Sequence, residues 1–176
     1  MRNLLSTKDQ RQLRLMETLI QHRDWLKLHE LSDKLGCTER ILKSDLNELR
    51  TAFPTIDIQS SINGIMIDLE VNTSFEDVYQ YFLAHSQSFR LLEYLFFNEG
   101  LPIYRTIENL HSSNANLYRL GRNITKTLSS QFQIELSFTP SEIRGNEIDI
   151  RYFLPNIFLS AIISLIGLFL TFLRKI

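Results

Sequence analysis

LHELSDKLGCTERILKSDLNEL, residues 28–49, reads as two helices around a tight turn. Leu28, Leu31 and Leu35 share one face of a short helix from about Lys27 to Leu35. Gly36 is a natural stop, because a left-handed residue there carries no Cβ penalty. Thr38 can cap the next helix by accepting from its free amides. That helix is expected to turn Ile41, Leu42, Leu46, Leu49 and Phe53 inward and to end at Pro54. Upstream, the segment from Asp9 to Arg23 places Leu13, Met16, Leu19 and Ile20 at helical spacing. Downstream, IDIQS and IMIDL alternate as strands and are joined through Asn63-Gly64, a strong hairpin signal. Three helices followed by a hairpin are the outline of a winged helix-turn-helix.

The order then repeats. Ser74 and Asp77 form a capping-box pattern. A helical stretch through Val78, Phe82, Leu91, Leu95 and Phe96 is interrupted near Ser86–Ser88, as a linker helix followed by the first helix of a second unit. A short helix from about Pro102 to Leu110, a turn at His111-Ser112 and a cap at Ser113 come next. A longer helix from Asn114 to about Phe132 is expected to bury Leu117, Gly121, Ile124 and Leu128. IELSF and EIRGNEIDI suggest a second hairpin, with Gly145-Asn146 at its turn. Thr38 falls on Ser113 and Leu42 on Leu117, both at an offset of 75 residues. The repeat is one of pattern more than of identity. The expected fold is mainly α with small β wings: two tandem winged helix-turn-helix modules plus an apolar C-terminal helix. The first module is placed at 1–72, the linker helix and second module at 73–151, and the apolar segment at 152–176.

Composition narrows the function. Nineteen Lys+Arg against twenty Asp+Glu give a formal charge of −1, so any basic surface must come from local arrangement. At 44% hydrophobic the chain is too apolar for a disordered one. The single cysteine, Cys37, excludes a disulfide framework and a Cys-based zinc site and fits a reducing compartment. It lies in the turn of the first helix-turn-helix, where a small apolar residue packs well; a redox switch is the alternative. No signal peptide opens the sequence. His22, His29, His85 and His111 are scattered, without metal-ligand spacing. Six glycines, at 36, 64, 100, 121, 145 and 167, build no phosphate-cradling loop. Asp68 and Glu70 lie in or near a wing, without a pocket to raise a pKa. No catalytic constellation forms, no cofactor is implied, and an enzyme is not expected.

A helix-turn-helix places its second helix in the major groove, with polar side chains near its N-terminus and an apolar far face. In the first module the outward positions are Glu39, Arg40, Lys43 and Ser44, with the acids Glu39 and Asp45 weakening the field. The second module makes the stronger electrostatic case. No carboxylate lies between Glu108 and Glu135, and Arg119, Arg122 and Lys126 form a stripe at spacings of three and four. Arg119, Arg122, Lys126, Arg40 and Lys43 are the expected phosphate contacts; Asn114, Asn116, Tyr118 and Ser44 are the candidates for base or sugar contact. Leu42, Leu46, Leu117 and Ile124 only position the helices. The alternative for either helix is a solvated surface of mixed or basic charge.

SSNANLYRLGRNI followed by SEIRGNEIDIRYF resembles the second helix-turn-helix of Mga-type transcriptional regulators, the stand-alone virulence regulators of Gram-positive cocci and bacilli. The matching positions are Ser113, Asn116, Leu117, Tyr118 and Arg119, then Ile143, Gly145, Glu147, Ile150, Arg151, Tyr152 and Phe153. Residues 5–53 are similar to the family's first module, in a pattern shared with many bacterial regulators. The resemblance implies sequence-tolerant binding of double-stranded DNA, with shape and flexibility choosing sites, and transcriptional activation. Full-length family members are longer, with phosphotransfer-regulated domains and an oligomerising C-terminal domain.

After Phe153 the sequence departs from that pattern. From Tyr152 to Leu173 no charged residue occurs, and Arg151 and Arg174-Lys175 bound the run. Its 22 residues are long enough to span a bilayer core. The readings are a tail anchor, with membrane contact through 152–173; a buried helix packed on another domain or copy; and the tail of a truncated product. The expectation is a cytoplasmic DNA-binding regulator, homo-oligomeric and with membrane anchoring by its C-terminus left open. The rival readings are a protein-interaction module and a fragment of a longer regulator.

Overall fold

The computed structural model describes residues 2–69, 74–129 and 132–153. The chain divides into two compact units: Thr7–Tyr79, and residues 2–6 together with those from Gln80 onward.

The amino-terminal unit begins with α1 (Thr7–His22), α2 (Leu28–Leu35) and α3 (Glu39–Ala52). Leu13, Leu15, Met16 and Leu19 of α1, Leu31 of α2, and Leu42, Leu46 and Leu49 of α3 are buried together with Ile56, Ile58, Ile65 and Ile67 of the hairpin. Gly36 ends α2 in the left-handed region, at φ 64°, and its N–H donates to Asp33. Thr38 Oγ1 accepts from the Ile41 N–H at 3.3 Å and starts α3. The expectation for Ile41 is corrected: it is exposed, because the inward stripe runs Leu42, Asp45, Leu46, Leu49 and position 41 lies about 100° off it. Phe53 is only half-buried.

Strands β1 (Ile56–Ser61) and β2 (Gly64–Leu69) pair antiparallel from Ile56↔Leu69 to Ser61↔Gly64. The two loop residues are therefore Ile62 and Asn63, one position earlier than Asn63-Gly64. Gly64 is needed for a different reason. Leu26 and Ile65 exchange backbone hydrogen bonds at 2.9 and 2.8 Å, and at φ 130° a Cβ on Gly64 would collide with the Leu26 carbonyl.

Helix α4 (Phe75–His85) carries the chain from one unit to the other. Its capping box is formed: Ser74 N–H donates to Asp77 Oδ2 at 2.8 Å, and Asp77 N–H donates to Ser74 Oγ at 3.3 Å. Then follow α5 (Gln87–Phe97), capped by Ser86, α6 (Ile103–Asn109) and α7 (Asn114–Ser129). Leu117, Gly121, Ile124 and Leu128 form the buried face of α7, as their spacing requires. They pack with Phe89, Leu91, Leu92 and Leu95 of α5, and with Ile134, Phe138, Ile143 and Phe153. A single 3-10 turn, Arg2–Leu4, lies against α7 and puts Leu4 into the same core.

The second hairpin differs from its expected form. Strands β3 (Ile134–Phe138) and β4 (Ser141–Gly145) turn at Thr139-Pro140, with Phe138↔Ser141 as the closing pair. Gly145 is the last residue of β4, and 147–153 are helical. Asn146 explains the change, since its Oδ1 accepts from the Ile148 N–H at 2.9 Å and stops the strand by starting a helix. Phe96, placed in the apolar pattern of α5, is exposed. Among the described residues no helix is long and apolar enough to cross a membrane. The apolar segment 152–176, with its proposed anchoring, lies outside the described residues beyond Phe153.

Candidate nucleic-acid interface

In each unit the third helix is held from behind and presents its other face to solvent. For α3 the hold is polar as well as apolar. Asp45 sits on the inner face, only 2% exposed. It accepts from Arg11 Nε at 2.6 Å, from Arg11 Nη2 at 3.1 Å and from Gln12 Nε2 at 3.0 Å. The hydrogen bond and the charge of Asp45 hold the Arg11 guanidinium above its ordinary pKa, against some desolvation. The placement of Asp45 among acids weakening the outer face is thus corrected: it points inward and is matched by an α1 arginine. Gln12 Nε2 also donates to Glu48 at 2.9 Å, and Lys8 pairs with Glu48 at 2.5 Å. Those bonds, Lys8 first and Gln12 second, hold the Glu48 carboxyl below the usual range.

The outer face of α3 carries Glu39, Arg40, Lys43 and Ser44, all exposed. Among the described residues no side chain pairs with Arg40 or Lys43, so both cations are available to a ligand. Near the end of α3, Arg50 turns to the hairpin: Nε donates to the Ile58 carbonyl at 2.9 Å, Nη1 to Asn47 Oδ1 at 3.2 Å, and Nη2 to Ser60 Oγ. Arg50 and Arg11 were missed from sequence. Arg50 shares a helix face with Lys43, seven residues earlier, but its strand partners depend on how the hairpin folds back.

On α7, Arg119, Arg122 and Lys126 are exposed along the acid-free helix. Asn114 is exposed at the first turn, where Ser113 Oγ accepts from the Asn116 N–H at 3.2 Å. Asn116 has internal duties. Its Nδ2 donates to Ser112 Oγ at 2.9 Å and to Gln87 Oε1 at 3.4 Å, and its Oδ1 accepts from Arg119 Nη2 at 2.7 Å. A base contact by Asn116 has to displace one of these. Tyr118 packs edge-on against Phe138 of β3, with centroids 5.2 Å apart, and is 44% exposed. Gly121 leaves room for the same ring, since a Cβ there would stand 2.5 Å from Phe138. Thr125 Oγ1 accepts from the Leu136 N–H at 3.0 Å, fixing the hairpin to α7. The candidates therefore fall in two groups. On α7, Arg119, Arg122 and Lys126 share one helix face, Asn114 and Tyr118 lie to one side of it and Asn116 to the other; on α3, Arg40, Lys43 and Ser44 share a face.

Comparison with known proteins bears on both units. A family profile described as the M protein trans-acting positive regulator (MGA) helix-turn-helix domain matches residues 6–65. One described as the Mga helix-turn-helix domain matches residues 71–158. A protein of Streptococcus pneumoniae serotype 4, named as a trans-acting regulator, is 44% identical over 158 residues, covering 90% of this chain and 32% of its own. The capsule synthesis positive regulators AcpA and AcpB of Bacillus anthracis are 26% and 22% identical, over 80% and 86% of this chain and 29% and 32% of theirs. The chain thus spans about a third of the length of these relatives.

Proposed function

Because the chain belongs to the family of Mga-type helix-turn-helix regulators, we propose that it binds duplex DNA through α3 and α7 and regulates transcription. The observation that carries this reading is the exposed stripe Arg119, Arg122 and Lys126, on a helix without a carboxylate, at the position that enters the major groove in a winged helix-turn-helix. The three cations anchor phosphates, and Asn114, at the first turn, and Tyr118 are the candidates for base or sugar contact. Arg40 and Lys43 anchor the first unit, and Ser44, on the same face of α3, is its candidate for base or sugar contact. The related proteins named as regulators favour this use over catalysis.

The two units are unequal partners in it. Residues 7–79 hold nine Lys+Arg against thirteen Asp+Glu, so long-range attraction falls to the second unit. The test is binding of the full chain to a mixed-sequence duplex, read by fluorescence anisotropy over a salt series. Arg119→Ala and Arg122→Ala are each expected to flatten the log–log slope by about one unit. Salt-independent binding, or wild-type slopes in both variants, would remove the phosphate-anchoring role and favour a protein-interaction module.

A further inference from the structure

Ala115 stands exposed in the opening turn of α7. At about 100° per residue it points away from the buried face of Leu117, Gly121, Ile124 and Leu128, and Arg119, Arg122 and Lys126 all lie within about 40° of it. The cation stripe is thus headed by a methyl group. Asn114 and Asn116 are turned about 100° to either side, and Asn116 is bonded to Ser112, Gln87 and Arg119 of its own unit. With no side chain longer than Cβ at that place, the backbone of α7 can come close to a groove floor. Helix stability alone favours a carboxylate in such a turn, and α7 has none there; an acid would also repel phosphates.

A helix lying in the major groove reads base edges with the residues of its opening turns. A methyl group has no hydrogen-bonding atom, so it cannot answer the donors and acceptors that guanine, cytosine and adenine present. The one major-groove feature it complements is the C5-methyl group of thymine. The first unit is built differently. The offset of 75 residues that pairs Thr38 with Ser113 also pairs Arg40 with Ala115. At the matching place α3 therefore carries a guanidinium and α7 a methyl group, so the two helices do not meet DNA alike.

We propose that Ala115 is a specificity-determining residue of α7, set against the C5-methyl group of a thymine in the major groove while Arg119, Arg122 and Lys126 hold the flanking phosphates. The inference rests on the reading that the chain binds duplex DNA through α7. It is tested with the full chain by anisotropy on two duplexes of equal length, one of alternating dA-dT and one of alternating dA-dU. The second lacks only the thymine methyl groups, and the alternation makes every register of binding equivalent. The wild type is expected to bind the dA-dT duplex about fourfold more tightly, as the burial of one methyl group implies. Ala115→Gly and Ala115→Ser are each expected to bring that ratio to about one while leaving the salt slope unchanged. Arg119→Ala is expected to weaken binding to both duplexes equally, keeping the ratio and flattening the slope. Equal wild-type affinities for the two duplexes would overturn the proposal and leave DNA binding standing. A fourfold ratio kept in both Ala115 variants would overturn it by assigning the methyl contact to another residue. A wild-type chain that binds neither duplex would remove this inference and the reading beneath it together.

Discussion

Arg11→Ala is the substitution with the clearest predicted cost. It removes both guanidinium bonds to Asp45 and leaves that carboxylate, 2% exposed, with the Gln12 amide alone at 3.0 Å. Stranding a buried charge costs about 3–5 kcal/mol. The Arg11 side chain is 20% exposed, so water can reach the vacated space, and the lower end, about 3 kcal/mol, is expected. For a unit of this size that corresponds to a melting point lower by about 15 °C. Trp25 is the chain's one tryptophan and lies in the amino-terminal unit, so urea unfolding followed by its fluorescence reports this unit. Two controls sharpen the result. Lys8→Ala breaks a solvent-exposed pair with Glu48 and should cost under about 1 kcal/mol. Arg11→Met with Asp45→Leu removes both charges and should return to within about 1 kcal/mol of wild type. If Arg11→Ala unfolds at the wild-type midpoint, or the double variant is no better than the single one, the pair does not hold α3 as argued.

Gly121→Ala places a methyl 2.5 Å from the Phe138 ring, which is buried and packed by Tyr118; a loss of about 1–3 kcal/mol by thermal unfolding is expected, and a neutral result would mean that the ring can yield. Burial pushes the Cys37 thiol above its ordinary pKa, with Arg11 opposing and Asp45 adding to the rise. A raised pKa means less thiolate below it, so at about pH 8 iodoacetamide should alkylate the native chain more slowly than the denatured one; equal rates would contradict the burial.

Local signals announced the fold well. The Gly36 stop, the Thr38 and Ser113 caps and the Ser74–Asp77 box act within four residues, so composition and spacing suffice to find them. What the sequence hid depends on residues far apart. Asp45 reads as a surface acid until α1 brings Arg11 to it across 34 positions. Asn63-Gly64 has the right turn chemistry, but the need of the Leu26 backbone for a neighbour without a Cβ moves the register by one. Gly145-Asn146 looks like a turn and is instead a strand end followed by a helix cap. In the candidate interface the cations of α7 were legible from their spacing. The internal network of Asn116 and the clamp made by Arg50 were not, because each needs a partner from another element.

The short turn Arg2–Leu4 has a consequence for assembly. Leu4 completes a core whose other members begin at Phe89, so residues 7–79 form an insertion within the carboxy-terminal unit. Closing that unit requires joining segments more than eighty positions apart. If the insertion is still unfolded, closure restricts a long coil and the entropy loss grows with the logarithm of its length. If the insertion folds first, most of that loop is already ordered. Synthesis supplies the segments in that order, so the acidic unit can serve as a folded connector before the basic one closes over Leu4.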